Sequence, residues 1–102
     1  MIKPKILITN DDGISSRGIY ALWEAMNDIG ETFIAAPSAE QSASSHSLTL
    51  SSPLRVKILK RKNGFKGWSI SGTPVDCVKI AIRSLMKKSP DLLISGVNHG
   101  AN

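Results

Sequence analysis

Lys5-Ile-Leu-Ile-Thr-Asn-Asp-Asp-Gly13 decides the fold: an unbroken apolar and β-branched run, Ile6 to Thr9, is closed abruptly by four polar turn formers. A strand with one wet face alternates; this one does not, so it predicts a strand buried on both sides, as in a parallel sheet clad by helices. From Ile19 the pattern changes period. Ile19, Leu22, Trp23, Met26 and Ile29 follow the i, i+3, i+4, i+7 spacing of an amphipathic helix, and Gly30 supplies the stop. Strand, polar loop and helix make a first β-α unit.

The same grammar continues downstream. Thr32-Phe-Ile-Ala-Ala36 is a second short apolar run, ended by Pro37 and followed by a polar, aperiodic stretch, Ser38 to Ser47. Leu48-Thr-Leu50 and Leu54-Arg-Val-Lys-Ile-Leu59 alternate in part, with turns at Ser51-Ser-Pro53 and Lys60 to Gly64. In the second of these runs the period-2 pattern turns Leu54, Val56 and Ile58 inward and Arg55 and Lys57 outward. Trp68 to Ser71 is a further strand. Thr73, Pro74 and Asp76 form a helix start, as cap, first-turn proline and capping-box acid, with Val75, Val78, Ile82 and Leu85 expected on its apolar face. Lys87 and Lys88 suit the helix end, Ser89-Pro90 breaks it, and Leu92-Leu-Ile-Ser95 is one more buried strand before Gly96 to Asn102. The expected architecture is α/β: a mostly parallel sheet covered on both faces, with a small antiparallel insertion at residues 48–71.

At 102 residues the chain has room for one compact domain or part of a larger one. With 41% hydrophobic and 21% charged residues, it lies far from disordered, collagenous or coiled-coil compositions. A net charge of +5 favours anionic partners such as nucleotides or nucleic acid without choosing among them. Cys77 is the single cysteine, so no internal disulfide and no cysteine-built zinc site is possible. The opening apolar run is too short for a signal-peptide core or a membrane span, and a cytoplasmic protein is expected.

In parallel sheets ligands collect beyond the carboxyl ends of the strands, where the distinctive polar sequences of this chain all fall. Asp11 and Asp12 are adjacent carboxylates at such an end, and burying them together without a cation raises at least one pKa at a cost. A divalent ion removes that conflict. Mg²⁺ and Mn²⁺ take carboxylates and keep several waters, whereas zinc prefers nitrogen and sulfur. Taken alone, Asn-Asp-Asp-Gly is an ordinary turn composition, and the turn is the simpler reading. Convergence adds to it: in a parallel sheet Ser42 beyond the second strand and Asn98 beyond the last face the same crevice and can bring neutral oxygens to one ion. Gly96 and Gly100 would let backbone amides approach an anion there, although a strand-ending loop has the same composition.

Several separated motifs occur in one order: Asn10-Asp-Asp-Gly13, Ala36-Pro37 with Ser42, Ser47-Leu-Thr-Leu50, Gly72-Thr-Pro-Val-Asp-Cys77 and Ser95-Gly-Val-Asn-His-Gly-Ala-Asn102. Together they resemble the SurE family of metal-dependent survival-protein nucleotidases, from about residue 5 to the last residue. The resemblance implies a Rossmann-like three-layer sandwich, of which residues 1–102 are the amino-terminal portion of a longer domain. It implies a phosphomonoesterase acting on nucleoside 5′- and 3′-monophosphates, sometimes with exopolyphosphatase activity, carrying one divalent ion, Mg²⁺ or Mn²⁺, per subunit. Matched motif by motif, Asp11, Asp12, Ser42 and Asn98 correspond to the metal ligands, either aspartate being placed to orient the attacking water. By the same match, Asn98 and Asn102 correspond to the family's residues near the bound phosphate. A homodimer or homotetramer is implied as well. Arg17-Gly18 departs from the proline-glycine of many relatives, which alters the helix entry but no ligand.

Other candidates have plainer explanations. His46 and His99 can transfer protons near neutral pH, but a polar loop role is the simpler reading for both. Asp76 is expected to cap, and Cys77 to be a small buried residue. Lys57, Lys60, Arg61, Lys62 and Lys66, interleaved with Phe65 and Trp68, form a basic cluster of the kind nucleic-acid surfaces use, although a solvated hairpin explains it more simply. A receiver-type phosphorylation switch shares the length and the acidic pair, but needs an aspartate and a lysine where this chain has Ser71-Gly72 and Ser95-Gly96.

Overall fold

The computed structural model describes residues 2–40 and 53–98. Five strands form one sheet: β1 (Lys5–Thr9), β2 (Glu31–Pro37), β3 (Val56–Lys60), β4 (Lys66–Ile70) and β5 (Leu92–Ser95), in the spatial order β3-β4-β2-β1-β5. β1 runs parallel to both β2 and β5, and β4 parallel to β2; only β3 is antiparallel, paired with β4. Helix α1 (Arg17–Asn27) connects β1 to β2. Helix α2 (Pro74–Ile80) and a π-helical turn, Ala81–Leu85, connect β4 to β5.

The unbroken apolar character of β1 is explained by two cores. Ile6 and Ile8 pack with Ile34, Ala36 and Phe65 against Ile19 and Trp23 of α1. Leu7, one residue out of phase, packs with Ala35 and Ile70 against Cys77 and Ala81 on the other side. Successive side chains point to opposite faces of a strand, so a helix on each face requires every residue to be apolar. The three β1 side chains Ile6, Leu7 and Ile8 are completely buried, each worth about 1.5–3 kcal/mol by transfer from water. The result is the expected mostly parallel α/β/α arrangement, with the antiparallel pair at one edge of the same sheet. That pair is held to α1 by an aromatic cluster. Trp23 meets Tyr20 and Phe65 edge-on, with centroids 5.5 and 5.4 Å apart, and Asn63 in the β3-β4 turn donates a hydrogen bond to the Tyr20 hydroxyl.

Four expectations need correction. Ile29 lies beyond the end of α1 and is exposed, while its amide donates to the Met26 carbonyl. Val75 is exposed because the buried face of α2 centres on Cys77 and Ala81, and two residues place Val75 about 200° round the helix from Cys77. The π turn, closed by a 2.7 Å bond from the Met86 amide to the Ala81 carbonyl, then widens the helix so that Ile82 and Leu85 still reach the core. In β3 the inward residue is Leu59; Leu54, Val56 and Ile58 are exposed, because α2 lies over β1 and β2 and leaves that face of β3 uncovered. Leu92 and Leu93 of β5, expected to be buried, are each 49% exposed. β5 has a neighbour on one side only among the described residues. The strand expected at Leu48-Thr-Leu50 lies outside the described residues.

Candidate functional site

From β1 the chain steps to β2 and on to β4 on one side, then returns by α2 to place β5 on the other side of β1. Where the winding direction reverses, the loops leaving β1 and β5 part in opposite directions and open a crevice at the carboxyl ends of these strands. Residues 10–13 and 96–98 occupy its two lips.

The acidic lip is held by Asn10, whose side chain is fully buried. Its amide nitrogen donates to the Gly13 carbonyl and to Ser16 Oγ, both at 2.9 Å, and its oxygen accepts from the Gly13 amide at 3.2 Å. Gly13 takes φ +104°, and an added Cβ would press on the backbone of Ala39 and Glu40 at 3.3 Å, so only glycine fits the turn. The Ile14 amide donates to the Pro37 carbonyl at 2.8 Å, tying the loop to the end of β2. Ser16, as N-cap, also accepts from the Ile19 amide. Asp11 and Asp12 therefore project from a short arc fixed at both ends.

The opposite lip meets that arc directly. Asn98 Oδ1 accepts from the Asp11 backbone amide at 3.0 Å, and Asn98 Nδ2 donates to Asp11 Oδ2 at 3.2 Å, across 87 residues of sequence. The β5 lip is itself seated by the Gly96 amide, which donates to the Thr9 carbonyl at 2.9 Å. It also packs on α1 at Gly18, whose absent side chain leaves room for the Val97 carbonyl. A cavity of about 420 Å³ opens here, lined by Asp12, Ser16, Arg17, Gly18, Glu40, Val97 and Asn98. Arg17 is the one cationic side chain in that lining. Close by, Thr9 Oγ1 is a buried hydroxyl with no hydrogen-bond partner among the described residues.

The structure thus brings together Asp11, Asp12 and Asn98 of the residues singled out by sequence; Ser42, Asn102, His46 and His99 lie outside the described residues. The donor set suits a hard cation. Two carboxylates and an amide oxygen are the kinds of ligand Mg²⁺ and Mn²⁺ take; among the described residues no cluster of three or more His, Cys, Asp or Glu forms, here or elsewhere. Sequence reading gives Ser16 no role, and takes Asn10 only as part of the acidic turn and Gly18 only as part of the helix entry. A serine three residues before the first periodic apolar position, Ile19, carries the cap signal; Asn10 is disguised as one more turn former, and nothing local marks Gly18 as a contact with a strand end 79 residues away.

The family description "Survival protein SurE" matches residues 6–102. The chain belongs to the SurE family. It is 48% identical over 100 residues to a protein of Chlorobium phaeobacteroides named 5′-nucleotidase SurE, covering 98% of this chain and 39% of that one. It is 52% identical over 99 residues to the protein of the same name from Solidesulfovibrio magneticus, covering 96% and 38%. The crystal structure of the SurE protein from Aquifex aeolicus superposes with a TM-score of 0.75 at 42% identity, covering 97% of this chain and 39% of that one. The chain thus spans about two fifths of the length of these SurE relatives.

The remaining candidates have structural explanations. Asp76 completes a capping box with Thr73: the Asp76 amide donates to Thr73 Oγ1 at 3.2 Å and the Thr73 amide to Asp76 Oδ2 at 3.0 Å. Cys77 is fully buried, and desolvation, with a smaller contribution from the Asp76 charge, pushes its thiol up to about 12. In the basic hairpin Phe65 is only 1% exposed, so its ring cannot stack on a base, and Trp68 stacks on Phe33 at 6.4 Å. No helix of the described residues is long and apolar enough to cross a membrane.

Proposed function

We propose that this segment supplies the acidic half of the active site of a metal-dependent phosphomonoesterase that converts nucleoside 5′- and 3′-monophosphates to nucleoside and phosphate. Exopolyphosphatase activity is included as a second use of the same chemistry. The observation that carries the reading is the two-bond contact of Asn98 with Asp11 across the reversal of the sheet, beside a cavity that Asp12 and Asn98 line. The names of the SurE relatives support the substrate class.

Phosphate monoesters hydrolyse extremely slowly without help, so the site must bring water in line and offset the charge of the phosphoryl oxygens. One divalent ion per subunit, Mg²⁺ or Mn²⁺, supplies Lewis acidity and a more acidic water. Asp11 and Asp12 hold the cation and offset its charge, and one of the two orients the attacking water. Asn98 and Ser42 add oxygens without adding negative charge that would repel a dianionic substrate. Asn98 also keeps Asp11 in place, and Asn102 takes a phosphate oxygen. Arg17 at the cavity wall is suited to a phosphate, since its planar guanidinium offers paired donors. A cytoplasmic homodimer or homotetramer completes the proposal.

The test is phosphate release from adenosine monophosphate by the full-length protein, with Mn²⁺ or Mg²⁺ and then with chelator. Turnover that requires the metal and falls to background in Asp11→Asn and Asp12→Asn is expected. Turnover that survives chelation or both substitutions overturns the assignment.

A further inference from the structure

We infer that Asn10 is the positioning residue of the metal-holding loop, and that it sets the gap between the two carboxylates and the first turn of α1. The inference rests on the reading of Asp11 and Asp12 as cation ligands and adds what keeps them in place. Asn10 itself touches neither substrate nor metal: its side chain is buried to 0% exposure beneath the loop. Of its three hydrogen bonds, one accepts from the Gly13 amide, one donates to the Gly13 carbonyl and one donates to Ser16 Oγ. A single amide therefore grips both polar groups of the residue that ends the acidic arc, and hands the arc on to the N-cap of α1. Part of the cavity lining sits on these same pieces, with Asp12 on the arc and Ser16, Arg17 and Gly18 at the start of α1. No other residue type serves. Aspartate has no donor and would set a charge against the Gly13 carbonyl; serine and alanine cannot span from Gly13 to Ser16; glutamine adds a methylene at a fully buried position.

Two adjacent carboxylates repel each other until a cation arrives, and a loop free to respond would splay them apart. Rigid support from behind the ligands limits that movement and spares the cation the cost of ordering them; losing a group bonded directly to a metal ligand costs about 10–100-fold in metal affinity, and Asn10, bonded to Gly13 and Ser16, acts at the lower end of that scale. Asn10 supplies that support here, and Ser16 relays it to the helix.

The experiment is Mn²⁺ binding to the metal-stripped full-length protein, followed by the electron paramagnetic resonance of free Mn²⁺, with urea stability measured alongside. Asn10→Ala is expected to weaken Mn²⁺ binding about tenfold or more, and Ser16→Ala, which removes one of the three bonds, less. Cys77→Ala, in the opposite core and remote from the crevice, serves as the stability control: it is expected to lower stability and leave Mn²⁺ affinity unchanged. Asn10→Ala or Ser16→Ala that loses stability as Cys77→Ala does, with Mn²⁺ affinity within twofold of wild type, overturns the inference and leaves the site assignment standing. If Asn10→Ala does not fold, Ser16→Ala decides alone. A wild-type protein that takes up no Mn²⁺ overturns both.

Discussion

Gly18→Ala separates helix propensity from the contact that seats the site. In an isolated helix the exchange stabilises by up to about 1 kcal/mol. Here a Cβ at Gly18 would stand 2.0 Å from the Val97 carbonyl oxygen and 3.0 Å from its carbon, where ordinary contact begins at 3.4 Å. Both atoms are backbone, so relief requires the β5 lip to move away from α1. Asn98 is the next residue, and its bonds to Asp11, at 3.0 and 3.2 Å, the second already at the upper limit of the usual range, do not survive such a shift. Overpacking of this kind costs about 1–3 kcal/mol, and the lost hydrogen bonds about 1 kcal/mol more, which outweighs the propensity gain. The expected result is a net loss of roughly 1–3 kcal/mol in urea denaturation of the full-length protein, together with weaker Mn²⁺ binding. A variant as stable as wild type that binds Mn²⁺ equally well refutes the reasoning, because the two lips would then not be mechanically joined.

The other expectations test separate pieces. Thr73→Ala removes one arm of the capping box and should cost about 0.5–2 kcal/mol by urea denaturation, with no change in Mn²⁺ affinity. Phe65→Ala, which empties the centre of the aromatic cluster, should cost about 3–5 kcal/mol, read by the same assay. The Cys77 thiol titrates near 12 when folded against an ordinary 9.0. Between those values the unfolded chain loses its proton while the folded chain keeps it, so this group's contribution is complete below pH 9 and declines as pH rises through the window. Stability of Cys77→Ala should accordingly fall less steeply than wild type over that alkaline range, and thiol reagents should label wild-type Cys77 only on unfolding. Arg17→Gln should raise the KM for adenosine monophosphate and leave Mn²⁺ affinity unchanged, measured by phosphate release across substrate and metal titrations.

Much of this arrangement was legible because it is local. The non-alternating run Ile6 to Thr9 encodes a strand with a helix on each face, and Thr73-Pro74-Val75-Asp76 encodes a cap that forms as written. The acidic pair and Asn98 could be placed at one crevice from strand direction alone. What failed was phase and edge. On α2, Val78, Ile82 and Leu85 reach the core as the spacing predicts, but Val75 does not, since it is as apolar as Cys77 and only packing distinguishes them, and the π turn leaves no mark in composition. The alternation in β3 predicts a half-exposed strand but turns the wrong residues inward, and β5 looks like an inner strand by residue type yet bounds the described sheet, because a sequence does not state which strand has a neighbour. Asn10 shows the opposite limit. A buried scaffold amide and an exposed turn amide are the same letter, and only the three bonds it makes tell them apart.

The central claim is that Asp11, Asp12 and Asn98 hold one divalent cation at the reversal of the sheet. Anomalous scattering from crystals of the full-length protein soaked in Mn²⁺ tests it most directly. One peak within coordination distance of both carboxylates and of Asn98 Oδ1 is expected, and it should vanish in Asp12→Asn. Mn²⁺ bound elsewhere, or metal-dependent phosphate release with no peak between these residues, would contradict it.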